Sequence, residues 1–375
     1  MKAFRSFLTA TFLSPLLALS SLAAEPVIYD TDMAIDDWTA LLYLAKHPEV
    51  DIKAVTVSCS GETRCKPGVE NVISLLELAD NTQPIPVAHG DAYPLDGYFV
   101  FPVEWRDDSD TLSGVPIDKP SYKPSNKHAA DVIHDIVNAS KEPVTLIAVG
   151  PLTNVHQWLE RYPQDKPKLG RLVIMGGSLD AKGNIEVPLF TKGHPNKKAE
   201  WNLFVDPVAT EFVFKSGLPI EMVGLDVTNK VKVTAEYVAN FKKLVNNPTA
   251  KFVDQVYDKN DWFIASGEYY FWDVLAALVV TNPELCVAEK TPINVAVDYV
   301  EKPVYTKTTD TSMPAKRWDG KPRRHIDEST AAILSRAKSG PKVDVCMKTN
   351  AKKALKIFTD TLVSIDKSDS EKKAL

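Results

Sequence analysis

Asp30-Thr-Asp-Met-Ala-Ile-Asp-Asp37 follows the apolar run Val27-Ile28-Tyr29 and precedes Trp38-Thr-Ala-Leu-Leu-Tyr-Leu-Ala45. A short β-branched and aromatic run followed by apolar positions at helical spacing reads as strand, loop, helix. Four carboxylates therefore crowd the end of one strand. Such a cluster repels itself and raises its own proton affinity unless a cation lies among the groups. Oxygen-only ligands suit a hard divalent ion, calcium or magnesium. First-turn acids that complement a helix dipole would account for Asp36 and Asp37 but leave Asp30 and Asp32 unexplained.

The alternation continues downstream. Strand patterns over 51–58, 85–88, 143–149, 171–175 and 220–225 are interleaved with helical apolar spacing over 69–79, 129–139, 153–162 and 207–215. This order implies parallel strands joined by right-handed crossovers. The fold class is α/β, a single doubly wound, mostly parallel sheet flanked by helices. In such sheets ligands bind beyond the carboxyl ends of the strands, so the loops after each strand should share one site. Those loops carry the aspartate cluster, Ser60-Gly61-Glu62, Gly150-Pro-Leu-Thr-Asn154 and Gly176-Gly177 with Asn184 beyond. Further on, helical spacing over 234–245 and 250–266 is followed by a strand over 291–300, a loop over 303–324, a strand edge at 343–345 and a last helix over 351–363.

Residues 1–23 have the form of an export signal: Lys2 and Arg5, then an apolar stretch over 7–19, then Ser21-Leu22-Ala23 as a small-x-small cleavage site. The expectation is an exported protein, periplasmic or secreted, with no membrane anchor and one domain over 24–375. Removing Lys2 and Arg5 takes the net charge from −5 to −7, which argues against nucleic acid or anionic lipid as a partner. The cysteines Cys59, Cys65, Cys286 and Cys346 fit an oxidising compartment. Pairing Cys59 with Cys65 and Cys286 with Cys346 is our expectation; sequence leaves the other connectivities and free thiols open.

Taken in order, Asp30 to Asp37, Val149-Gly-Pro-Leu-Thr-Asn154, Ile174-Met-Gly-Gly177, Gly183-Asn184, Ala199-Glu-Trp-Asn202 with Asp206-Pro207, Leu225-Asp-Val-Thr228 and Trp272-Asp273 resemble the nucleoside hydrolases. The resemblance implies a calcium-dependent N-ribohydrolase that splits a ribonucleoside into ribose and free base. It also implies the site. Asp32, Asp37, Asp273 and the backbone carbonyl of Val149 would hold Ca2+, with Asp32 also the general base. Asp36, Asn184, Glu200 and Asn202, and with them Glu62, would hold the ribose, and Asp30 would support the loop. Breaking an N-glycosidic bond passes through an oxocarbenium-like sugar, so an activated water must be placed on one face.

Many members carry His-Asp where this chain has Trp272-Asp273. That stretch, with Phe101-Pro-Val-Glu-Trp-Arg106, is similar to the purine-specific inosine-adenosine-guanosine branch, in which tryptophans at the positions of Trp105 and Trp272 sandwich the purine. The chain departs from the family at Met33-Ala34, where many relatives have Pro-Gly, and in a longer connection over 185–199, either a lid or a solvated flap. Homodimer and homotetramer are both left open. Two other classes compete: a haloacid-dehalogenase-type magnesium phosphatase using Asp30 as nucleophile and Asp32 as acid/base, and a non-catalytic nucleoside-binding protein.

Overall fold

The computed structural model describes residues 24–81, 83–95, 101–301 and 325–364. The proposed signal segment, the whole 303–324 loop and the charged tail from Lys367 lie outside these residues. The chain begins with β1 (Glu25–Thr31), α1 (Ile35–Lys46), β2 (Val50–Val57), α2 (Cys65–Leu78) and β3 (Val87–His89). Next come α3 (Val103–Asp110), α4 (Ala129–Ala139), β4 (Val144–Ala148), α5 (Thr153–Arg161) and β5 (Leu169–Met175). The middle adds α6 (Trp201–Val205), α7 (Pro207–Lys215), β6 (Ile220–Val223), α8 (Leu225–Thr228), α9 (Ala235–Lys242), α10 (Pro248–Lys259), α11 (Asp261–Ser266) and α12 (Trp272–Thr281). The last part holds β7 (Val287–Val295), β8 (Tyr299–Val300), β9 (His325–Ile326), β10 (Leu334–Arg336), β11 (Lys342–Lys348) and α13 (Ala351–Val363).

Nine strands form one sheet in the order β10-β7-β11-β6-β5-β4-β1-β2-β3. The run from β3 to β11 is parallel throughout, and β7 alone runs antiparallel to its neighbours β11 and β10. The expected parallel, doubly wound sheet is therefore present, with one reversed strand near its edge. From β1 the chain winds outward through β2 and β3, then returns to β4 on the other side and winds through β5 and β6. The neighbours β1 and β4 thus send their connections in opposite directions, which opens a crevice beyond their carboxyl ends.

Central strands are apolar because both faces are covered. On β1, Val27 and Tyr29 join one buried cluster and Ile28 the other; on β5, Val173 and Met175 oppose Leu172 and Ile174. The first face packs on α1, α2, α12 and α13, the second on α4, α5 and α7.

Some elements differ from the sequence reading. The charged stretch around Trp105, which carries no helical apolar spacing, is the helix α3. The apolar spacing over 250–266 divides at Asn260 into α10 and α11, because the Asn260 backbone leaves helical geometry there. The strand expected over 291–300 is β7, beginning earlier, and the separate β8. Both expected disulfides form, Cys59–Cys65 and Cys286–Cys346.

Candidate active site and metal centre

Asp30 is the last buried acid within β1, and Thr31 ends the strand. Asp30 Oδ1 accepts hydrogen bonds from Thr56 Oγ1 of β2 at 2.5 Å and from Asn154 Nδ2 at the start of α5 at 2.7 Å. Asp30 is therefore a clasp between three elements. Both bonds fall on Oδ1; Oδ2 is buried and has no hydrogen-bond partner among the described residues.

Asp37 organises the turn. Its Oδ1 accepts from Thr31 Oγ1, from Asp32 N at 3.1 Å and from Met33 N at 3.2 Å; its Oδ2 accepts from Ala34 N at 3.0 Å. These bonds pair backbone N–H groups that would otherwise lie without partners at the helix start. They also hold Met33 at a φ of 59°, a left-handed conformation that costs a non-glycine residue about 1–2 kcal/mol. Its carbonyl accepts from Trp38 Nε1 at 2.6 Å.

Asp32 follows the end of β1 with its carboxylate among backbone. Its Oδ2 accepts from Glu62 N at 3.0 Å, and its carbonyl accepts from Thr63 N at 3.0 Å. Two glycines permit this approach: a Cβ on Gly61 would lie 2.1 Å from Asp32 Oδ2, and one on Gly150 would lie 2.8 Å from Asp32 Cβ. Asp32 Oδ1 is buried and has no hydrogen-bond partner among the described residues, and the same is true of Asp273 Oδ1.

Carboxylate oxygens of Asp36, Asp37 and Asp273 all lie within 4.8 Å of one another. Asp273 N donates to Asp36 Oδ2 at 3.4 Å, so the first turn of α12 faces the first turn of α1. Asp32, which the resemblance counts as a metal ligand, is outside that mutual set, and Asp36, assigned there to ribose, is inside it. Burial first, then mutual repulsion, pushes Asp36 up to about 7 and raises Asp32 and Asp273 well above the carboxylate range. Asp37 is raised by burial as well. Unpaired buried oxygens on a self-repelling cluster of hard donors fit a divalent cation, which favours the ionised forms. By this geometry Asp36, Asp37 and Asp273 are the carboxylates placed to share one ion.

The residues that the resemblance assigns to ribose are held by backbone and neighbouring side chains. Glu200 caps α6: its Oε1 accepts from Asn202 N at 2.9 Å, and its Oε2 accepts from Gly177 N at 2.9 Å and Leu203 N at 3.3 Å. Burial still pushes it up to about 7. Asn202 Nδ2 donates to the carbonyls of Val149 at 2.8 Å and Met175 at 3.2 Å, tying the ends of β4 and β5 together. Asn184 Oδ1 accepts from Trp201 N at 3.2 Å. Glu62 is half-buried, accepts from Ser109 Oγ at 3.1 Å, and is pushed up to about 8 by burial and then by Asp36 and Asp37.

The two tryptophans belong to different aromatic groups. Trp105 packs edge-on against Trp201, ring centroids 5.4 Å apart, and against Phe190 at 5.2 Å. Trp272 lies against Phe263 at 6.1 Å, Tyr269 at 5.8 Å and Tyr270 at 5.7 Å. Each is half-buried. Trp272 Nε1 is buried and without a hydrogen-bond partner among the described residues.

Three contributors were given no role by the sequence reading. Arg106 is fully buried and donates to the carbonyls of Gly61, Thr63 (3.3 Å) and Cys59 (3.5 Å), bracing the loop behind Asp32. Asp226 accepts from the backbone of Leu179, Asp180 and Ala181 at 2.7–2.9 Å, shaping the loop after β5. Phe190 comes from the long 185–199 connection, which is pinned by Asn196 Nδ2 donating to the carbonyls of Glu328 (3.1 Å) and Ala331 (2.9 Å). That connection is a wall tied down near its end by Asn196, with Leu189 and Lys192 exposed at its tip.

Residues 27–356 match the family model described as inosine-uridine preferring nucleoside hydrolase. A similar protein is the pyrimidine-specific ribonucleoside hydrolase RihA of Photobacterium profundum, 35% identical over 235 residues, 63% of this chain and 71% of that one. Similar solved structures include an inosine-uridine preferring nucleoside hydrolase from Bacillus anthracis, TM-score 0.68 at 23% identity, covering 91% of this chain and 100% of that one. Another is a purine-preferring ribonucleoside hydrolase from Gardnerella vaginalis, TM-score 0.69 at 22% identity, covering 90% and 98%. At such identities the structures speak for the shared fold. The chain belongs to the inosine-uridine preferring nucleoside hydrolase family. As a member it is a hydrolase of N-glycosyl bonds in nucleosides.

Proposed function

We propose that this chain is an exported, Ca2+-dependent N-ribohydrolase acting on purine ribonucleosides. The purine reading is carried by Trp272: half-buried, next in sequence to the cluster member Asp273, with a buried indole N–H that an acceptor on a ligand would satisfy. Trp105, on the 184–201 side of the site, supplies a second aromatic surface. Broad aromatic planes favour the larger purine ring.

A cation among the aspartates supplies positive charge that makes a neighbouring water more acidic. Asp32 would serve as the general base for the attacking water, Oδ1 being the oxygen that the loop backbone leaves unpartnered. Asp36, Glu62, Asn184, Glu200 and Asn202 orient the ribose. Hydrogen bonds to each hydroxyl reject sugars that lack one, because buried polar groups would be left unpaired. Ribonucleosides are therefore preferred over deoxyribonucleosides. Export is supported by the form of residues 1–23 and by two disulfides.

The name of the 35%-identical relative favours pyrimidine nucleosides instead. The deciding experiment measures base release from inosine, adenosine, guanosine, uridine and cytidine, with calcium and with a chelator. Purine release that stops in chelator is expected. Faster release from uridine than from any purine nucleoside would replace the purine reading, and stabilisation by nucleosides without base release would mark a binding protein.

A further inference from the structure

We propose that the Cys59–Cys65 disulfide is a positioning device for Asp32, so that hydrolysis requires this bond intact. The proposal rests on the reading of Asp32 as the catalytic base. The loop between β2 and α2 delivers the two backbone donors that fix Asp32: Glu62 N at 3.0 Å from Oδ2 and Thr63 N at 3.0 Å from the carbonyl. Gly61 of the same loop lies against the carboxylate, with no room for a Cβ. The disulfide closes this loop, joining Cys59, just beyond β2, to Cys65, the first residue of α2, across a separation of 6 residues. Few residues lie between, so the bridge fixes the loop where Asp32 reads it. The Arg106 bonds to three carbonyls of the loop brace it from behind and depend on the same closed shape. Cys286–Cys346, by contrast, joins the start of β7 to β11 and carries none of these contacts.

Cys59 is buried, whereas Cys65 is partly exposed, so a thiolate attacks at Cys65. A dithiol reductant delivers two electrons and two protons, leaves two cysteine thiols and is itself oxidised to a disulfide. Cys59 and Cys65 are positioning residues; neither is assigned contact with substrate.

The test uses the full chain carrying Cys286→Ser and Cys346→Ser, so that a single disulfide remains. Reduction by a dithiol, verified by thiol titration, is expected to lower kcat about tenfold or more, the scale of a misplaced catalytic group. KM should rise as well, because Glu62 of the same loop is assigned to the ribose, and reoxidation should restore both. Hydrogen exchange gives a readout independent of turnover: the amides of Glu62 and Thr63 should exchange faster once the bond is reduced. Unchanged kcat and unchanged exchange in protein with two titratable thiols would overturn the proposal. If the oxidised protein hydrolyses no nucleoside, the catalytic reading fails, and the exchange at Glu62 and Thr63 still decides whether the bond holds the loop. Cys59→Ser with Cys65→Ser gives a check in the same terms: a low kcat that a dithiol no longer alters.

Discussion

Asp32 is held by main-chain donors, crowded by Gly61 and Gly150, and keeps one oxygen unpartnered. Replacing it with alanine removes the proposed base, and turnover should fall about 10²–10⁴-fold, measured as base release at saturating substrate. Trp272→Ala should slow release of purines more than of pyrimidines; equal effects on inosine and uridine would sink the stacking model. The buried acids also set a pH dependence. Asp30, Asp36 and Glu200 are pushed up to about 7 and Glu62 to about 8, with burial the first cause in each. The folded chain thus keeps protons that the unfolded chain has released, and without a cation its stability falls as pH rises from about 4 through about 8. Calorimetry in chelator should show Tm dropping across that range, and added calcium should restore most at the upper end. A Tm in chelator that climbed with pH would contradict the assignment. The acids were legible in the sequence because carboxylates so dense after a strand have few bland explanations. Arg106 was not, because a charged residue among Glu104, Asp107 and Asp108 reads as solvated, and only tertiary packing shows that it faces the carbonyls of a neighbouring loop.

Among the elements, the 185–199 connection changes most between sequence and structure. Length and composition mark it as additional, but Asn196 reaches across to Glu328 and Ala331, residues far along the chain that no local pattern connects to it. The consequence is a fixed place for Phe190 against Trp105. If Trp105 bears the base, Phe190→Ala should raise KM for purine nucleosides about three- to tenfold, the scale of one aromatic contact, with kcat little altered. Asn196→Ala should act in the same direction by freeing the wall, and steady-state kinetics on inosine tests both. Helix α3 was hidden for a related reason: its eight residues include three aspartates and a glutamate, and what fixes it is Trp105 and Arg106 turning inward to different neighbours.

The molecule as a whole follows the alternation read from the chain, because strands covered on both faces must be continuously apolar and must be joined by crossovers. The reversed β7 and the short β10 were not legible, since their pairing depends on partners distant in sequence and on an edge where one face is less covered. At this edge lies Cys286–Cys346, closing a separation of 60 residues. Loss of both cysteines to serine should cost about 2–4 kcal/mol of stability, read from urea unfolding, with activity retained at temperatures where the protein stays folded. The same bond has a consequence for integrity. Any peptide bond cut between Cys286 and Cys346 leaves both fragments in one covalent molecule, so a nicked chain would run as intact in electrophoresis until its thiols are reduced. The carboxyl-terminal piece, with β11 and α13, would stay tethered to the sheet it completes.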